Sequence, residues 1–234
     1  MPSAQDVGRL FARSLPVASR VTPQVAGGAL RHVLELAIDG TAKLPGAKAA
    51  AGRQLQRHGG SADLATEATI EFHVGLASAQ GFVTNLGGLA ALPVSMPANL
   101  AGVAVVQTRM VAAIAHLRGY DVDDRRVRAA LTLAMLGDDE VRRLVADGKL
   151  PSSPLAVATA PVFDPALERT ISERVMGSLA GRIGGKHVAV VVVRRIPLVG
   201  GGVGAAVDGW LTFGLAAYAR REFIPRHQAS IPRQ

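Results

Sequence analysis

A long stretch without a charged side chain, from Val74 to Thr108, constrains the fold of this chain more than any other feature. Length alone suggests a membrane span, because a helix of about 20 apolar residues crosses a bilayer. Glycine, proline and amide residues interrupt the stretch, however: Gly81, Asn85, Gly87, Gly88, Pro93, Pro97 and Asn99. The pattern therefore predicts two helices, 61–92 and 97–118, that reverse around Pro93–Pro97.

This apolar hairpin, interrupted by glycine and proline, has two possible environments. It is either buried in the core of a soluble domain, or inserted in or lying on a membrane. A third apolar helix, 198–222, is predicted beside it. In that helix Gly200, Gly204 and Gly209 recur at spacings that place them on one side, where a neighbouring helix can approach closely.

The remaining pattern is also helical, and the chain is predicted to be an all-α multi-helix bundle. Ser61 and either Asp123 or Asp124 are the expected N-caps. Residues 149–165 carry four prolines and are predicted to be a loop. Residues 187–193 have β character but no partner strand, so we assign them to a helix. The other predicted helices are 3–15, 22–44, 48–58, 123–136, 138–148 and 165–182. Residues 1–60 are interpreted as a helical extension and residues 61–225 as the main domain.

Composition and motifs exclude several function classes. Hydrophobic residues make up 49% of the chain, which excludes a disordered protein. There is no cysteine, and the six histidines form no HExxH pair, so neither a metal nor a cofactor is expected. The run Gly200–Gly204 lacks the Lys-Ser/Thr ending of a phosphate-binding loop, and no GxSxG motif is present. No residue is thereby nominated as catalytic.

The charge distribution argues against a nucleic-acid-binding tail. The net charge is +8, with 22 arginines and four lysines, yet these are dispersed rather than gathered in one run. An arginine excess usually reflects genomic base composition, and the alternative is a surface that faces phosphate or acidic lipid. The first residues show no secretory signal pattern, so the expected location is the cytoplasm or the cytoplasmic face of the membrane.

Four polar residues within the apolar segments are the candidate binding residues: Asn85, Asn99, Arg109 and Asp208. Asp208 is alone in its helix, and Arg109 ends the uncharged stretch. Burying either charge alone would cost several kcal/mol. Each is therefore expected to bond the other or a nearby polar group, or else to form a polar spot that receives a ligand.

Three segments in order resemble the EcsC family: Gly81–Gly88 running on to Pro93 and Pro97–Leu100, Arg109–Ala115 leading to Gly119–Asp121, and Ile196–Gly201 continuing through Asp208, Thr212 and Ala219 to Phe223. The resemblance covers roughly residues 60–225. It implies a helical bacterial protein, and the family's namesake is encoded beside an ABC transporter. It carries over no set of catalytic residues.

The leading functional hypothesis is a non-enzymatic, membrane-associated accessory protein that contacts lipid or an integral membrane partner. The alternative is a hydrolase that acts on an apolar substrate in a helix-lined pocket. An exposed apolar face would favour the membrane hypothesis. An enclosed cavity with convergent titratable groups would favour the enzyme.

Overall fold

The structure, a computed structural model, describes residues 32, 35–41, 45–86, 92–150, 152–175, 177–178 and 197–226. The regular structure of these residues is helical, which confirms an all-α chain. The helices are α1 (Ala47–Arg57), α2 (Ala62–Leu86), α3 (Leu92–Leu117), α4 (Arg125–Ala134), α5 (Asp138–Ala146), α6 (Pro154–Thr159), α7 (165–175) and α8 (Pro197–Glu222). A helical turn at 35–38 precedes α1, and Gly40 and Pro45 form an isolated antiparallel bridge.

Side-chain caps begin α2 and α4 where the sequence predicts them. The Ser61 hydroxyl accepts a hydrogen bond from the Leu64 amide at 3.3 Å. The Asp124 carboxylate accepts one from the Arg126 amide at 2.8 Å. Each bond satisfies an amide that has no acceptor within its own helix. Both predicted caps are confirmed, and Asp124 is the capping residue of α4.

The helices α2, α3 and α8 pack side by side. Helices α2 and α8 are antiparallel, because Gly209 lies against Ser78, and Arg220, later in α8, pairs with Glu67, earlier in α2. In contrast, α8 is parallel to α3, since the Gln107 amide donates to the Thr212 hydroxyl at 3.1 Å and, further along both segments, Arg118 donates to the Arg220 carbonyl oxygen at 3.5 Å. The prediction that 198–222 packs beside the two preceding long helices is confirmed.

A core of mainly small aliphatic side chains joins this group to α1, α4 and α6. Its largest members are Tyr120 and Phe223, whose rings meet edge to face with centroids 5.3 Å apart. Ala47 and Ala51 of α1 belong to the same core, although they lie in the segment interpreted as an extension. The division at residue 60 stays a prediction.

The predicted helix break at Pro93–Pro97 is wrong. Helix α2 ends at Leu86 and α3 begins at Leu92, so both prolines lie inside α3. The first-turn amides of a helix have no acceptor within it, so Pro93 removes no bond there, and Pro97 removes a single i→i−4 bond. The residues between these helices lie outside the described part of the chain.

Two other boundaries differ from prediction. The helix expected to reach Leu44 is followed by a turn at Asp39, and Gly40 has a φ of 82°, which favours glycine. Helix α6 forms inside the proline-rich segment predicted as a loop. Its Pro154 occupies the first helical position, where a fixed φ and a missing amide are tolerated. The segments 3–15 and 187–193 lie outside the described residues.

Candidate functional site

Asp208 is buried where α8 and α2 touch. Only 4% of the residue is exposed. A Cβ on Gly81 would lie 2.6 Å from the Asp208 Oδ2 atom and 2.6 Å from the Gly204 carbonyl oxygen. A Cβ on Gly209 would collide with the Ser78 hydroxyl. The two backbones are therefore in close contact, as the glycine spacing predicts, and Asp208 points toward the neighbouring helix.

Further polar side chains are buried along the same helices. Gln107 of α3 bonds Thr212 of α8, and both are buried. Gln80 of α2 is also buried, and its amide occupies the space that a side chain on Gly102 of α3 would need. Buried polar groups stabilise a fold only when they are hydrogen-bonded. These buried polar side chains therefore fix how α2, α3 and α8 align along their axes.

Arg109 lies on a different side of α3 from Gln107. Two residues along a helix correspond to a rotation of about 200°, so the two side chains point in nearly opposite directions. The arginine is 6% exposed, and its Nε atom is buried without a hydrogen-bond partner among the described residues. Burial lowers the pKa of Arg109, and the nearby cation of Arg53 lowers it further.

His73 of α2 is also buried, and it lies level with Arg109 of the antiparallel helix α3, because Gln80 meets Gly102 seven residues away from both. Its Nδ1 atom lies 2.7 Å from the Thr69 carbonyl oxygen. A carbonyl only accepts, so Nδ1 carries the proton and donates. The Nε2 atom is buried without a partner. Burial, opposed by the Thr69 bond and reinforced by the Arg109 charge, lowers the pKa of His73 to about 4.

The structure does not pair Arg109 with Asp208, the two charged residues among the four predicted binding residues. No ion pair between described residues joins Arg109 to Asp208, because they occupy different helix interfaces. Of the two expected kinds of partner, each other or a nearby polar group, the first is therefore contradicted and the second stays a prediction. Asn85 and Asn99 lie in α2 and α3, and their side chains lie outside the described part. Sequence reasoning missed His73, although it stands immediately before the uncharged stretch, as Arg109 stands immediately after it.

Concave sites elsewhere do not contain these residues. A cavity of about 30 Å³ lies under Phe163, lined by Ala129, Val157, Leu167 and their neighbours. An open groove of about 480 Å³ is lined mainly by charged residues: Glu140, Arg143, Lys149, Glu173 and Arg174. No group of three metal-binding side chains occurs among the described residues. None of these features is the enclosed apolar pocket that the hydrolase hypothesis requires.

Large apolar side chains are exposed at one end of the α2–α3–α8 group. We call this the uncharged end: residues 74–86, 92–108 and 197–213, with Asp208 as its one ionisable carboxylate. Trp210 is 76% exposed and Phe213 is 56% exposed. The other exposed apolar residues of α2 and α8 within it are Phe82, Val207 and Leu211, and the exposed Phe72 lies just outside it. The charged residues of these helices lie beyond it, toward the opposite end.

Seven of the 14 described arginines form ion pairs with described carboxylates. Arg128 pairs with Asp39 at 2.7 Å, and Arg126 pairs with Asp124 at 2.5 Å. The other arginines in ion pairs between described residues are Arg125, Arg142, Arg143, Arg220 and Arg221. The predicted attraction of these arginines to anionic headgroups is therefore reduced, since their charge is already offset locally.

Comparison with known proteins leaves the family open. No protein-family model, curated protein or solved structure matches the chain. Among the described residues, no helix is long and apolar enough to cross a membrane.

Proposed function

We propose that this chain is a non-enzymatic accessory protein that binds the cytoplasmic face of a membrane by placing its uncharged end among the lipids of one leaflet. One observation carries the proposal: aromatic and aliphatic side chains are exposed on α2 and α8 where those helices lack charge. Exposed apolar groups gathered at one end of a helix group are typical of a membrane or partner contact.

The direction of the helices supports this arrangement. Because α8 is antiparallel to α2 and parallel to α3, the uncharged parts of all three lie at the same end. At the opposite end Glu67 pairs with Arg220, and Asp138 pairs with Arg221. The group is therefore amphipathic along its length, with one end suited to lipid and the other to water.

The dimensions support partial insertion rather than a span. Residues 74–86 of α2 rise by about 20 Å in a helix. A bilayer with its headgroups is about 40–45 Å thick, so this length matches one leaflet and does not cross the bilayer. Asp208 is turned toward α2 and away from the exposed apolar side chains, so insertion would not expose its carboxylate to lipid.

The resemblance to the EcsC family gives this proposal its context. A family whose namesake is encoded beside an ABC transporter suggests an integral membrane partner, and lipid contact would bring the chain to such a partner. This part of the proposal rests on the three sequence segments described above. Its lipid part stands on the exposed residues alone.

Trp210 provides a direct test, because it is the one tryptophan in the chain. On addition of vesicles of phosphatidylcholine with phosphatidylglycerol, its fluorescence should shift to shorter wavelength. Lipids brominated on their acyl chains should quench it. Both results are expected because the 76% exposed indole would move from water into the leaflet.

Leu211→Asp should abolish the vesicle-induced shift, since it places a charge among the exposed apolar side chains. Val162→Asp is the matched control: Val162 is 75% exposed but lies between α6 and α7, away from the uncharged end. An emission spectrum of the unmodified protein that does not change with vesicles would refute the proposal. Equal loss of binding in both variants would also contradict it.

A further inference from the structure

Arg109 is a buried cation that the described residues leave without a counter-charge. The chain has 18 acidic residues, and all except Asp6 lie in the described part. None of those described carboxylates pairs with Arg109. Arg126 and Arg128, which are more exposed than Arg109, each have a carboxylate partner.

A buried cation without a counter-charge destabilises the folded state, so its presence needs an explanation such as ligand binding. A guanidinium stays protonated even when burial lowers its pKa, so Arg109 cannot escape the cost by losing its proton. Buried charges in proteins are normally paired. Functional sites are where a fold tolerates an uncompensated group.

Three helices bring complementary groups to this position. Arg109 comes from α3, His73 from α2 and Arg53 from α1. Arg53 is exposed on α1, which packs against both α2 and α3, and its charge acts on the Arg109 guanidinium. The His73 Nδ1 atom donates to Thr69, which leaves Nε2 with an unused lone pair. Together these groups offer two cations and one hydrogen-bond acceptor.

We propose that Arg53, His73 and Arg109 form a binding site for a phosphate monoester group. The charged phosphate oxygens would accept hydrogen bonds from the two guanidinium groups. The monoester retains one O–H in part of its population near neutral pH, since its second pKa is about 6. That O–H would donate to the His73 Nε2 atom. A phosphodiester or a sulfate has no such proton to donate.

The level of the site suggests the source of the phosphate. His73 immediately precedes residues 74–86, and Arg109 immediately follows residues 92–108. If the uncharged end enters a leaflet, as proposed above, both side chains lie at the depth of the lipid headgroups. The lipid source rests on the proposed function, whereas phosphate binding itself does not. A soluble phosphate monoester would offer the same chemistry.

The experiment compares lipid and soluble sources on the full chain. Vesicles of phosphatidylcholine containing phosphatidic acid, a monoester, are compared with vesicles containing phosphatidylglycerol, a diester, at equal surface charge. Glycerol phosphate and sulfate are compared by the shift of the thermal midpoint. We expect tighter binding to the phosphatidic acid vesicles, and stabilisation by glycerol phosphate but not by sulfate.

Arg109→Gln should weaken the preference for phosphatidic acid by about tenfold or more, the loss expected for charge-assisted hydrogen bonds. His73→Phe should remove the distinction between monoester and diester, because Phe keeps a ring but not the acceptor. Arg169→Gln is the control, as it removes an exposed arginine on α7. Without ligand, the thermal midpoint of Arg109→Gln should equal or exceed that of the unmodified protein. A merely structural Arg109 would give a lower one.

The outcomes separate the two proposals. Stabilisation by glycerol phosphate without vesicle binding would support the site and overturn the membrane function. Equal binding of Arg109→Gln and the unmodified protein to both vesicle types, with no effect of glycerol phosphate, would overturn the site and leave the membrane function standing. A lowered midpoint of Arg109→Gln together with an unchanged monoester preference would also overturn the site.

Discussion

Gly81 and Asp208 face each other across the α2–α8 contact so closely that a single methyl group would not fit between them. The carboxylate Oδ2 atom lies 2.6 Å from the position of a Cβ on residue 81. The backbone carbonyl of Gly204 is equally close. A backbone carbonyl in a packed helix cannot rotate away, so glycine at residue 81 is what allows a charged residue to be buried here.

Gly81→Ala should therefore destabilise the fold. Overpacking of this kind costs about 1–3 kcal/mol. Gly75→Ala on the same helix is the control, because a Cβ there meets nothing within 4 Å. It should stabilise the chain by roughly 0.5–1 kcal/mol, as glycine weakens a helix interior. Urea unfolding of both variants checks the difference, and equal midpoints for the two would contradict the close contact.

Asp208→Asn should lower the thermal midpoint of unfolding. The Asp208 carboxylate is buried and has an interaction partner, and asparagine keeps its shape while removing its charge. Loss of a charged hydrogen bond costs about 1.5–3 kcal/mol. Vesicle binding by the folded variant should be unchanged, since Asp208 points away from the exposed apolar side chains. An unchanged midpoint with abolished activity in cells would instead assign Asp208 to a ligand.

The fold was predictable where local rules decide it. Helical periodicity, the caps at Ser61 and Asp124, and the absence of charge in three segments were sufficient to predict an all-α chain with a third long helix beside the first two. The break at Pro93–Pro97 was misplaced because proline disrupts a helix interior but is tolerated near its start. The sequence shows where the prolines are, but only the structure shows that the helix begins at Leu92, just before them.

The candidate site was predictable only in part. Arg109 and Asp208 were recognisable as charges in apolar surroundings, but their separation depends on which side of its helix each occupies. His73 and Arg53 become neighbours of Arg109 through the packing of α1, α2 and α3, which no spacing along the chain encodes. Part of the ion pairing was likewise hidden, because partners such as Arg128 and Asp39 are distant in sequence, whereas pairs such as Arg143 and Glu140 lie within one helical turn.

His73 should make stability depend on pH in the acidic range. Its pKa is about 4 in the folded protein, below its ordinary value of 6.5. The unfolded chain therefore binds a proton first as pH falls, so stability decreases from about pH 6.5 and levels off below about pH 4. The full effect is roughly 3 kcal/mol. Urea unfolding between pH 7 and pH 4.5 should show a smaller decrease for His73→Gln than for the unmodified protein. Parallel decreases would contradict a buried, neutral His73.

Salt should release little of the membrane-bound protein. Attraction between exposed charges is screened within about 3 Å at 1 M salt, whereas apolar burial is not weakened by screening. Here the exposed apolar residues, Trp210 and Phe213 foremost, would provide the binding, and half of the described arginines are already paired with carboxylates. Sedimentation with vesicles in 0.1 M and 1 M sodium chloride should therefore give similar bound fractions for the unmodified protein. Leu211→Asp should show weak binding that salt removes, because only its charges remain to hold it. Complete release of the unmodified protein at 1 M salt would show that arginines, and not the uncharged end, hold the chain to the membrane.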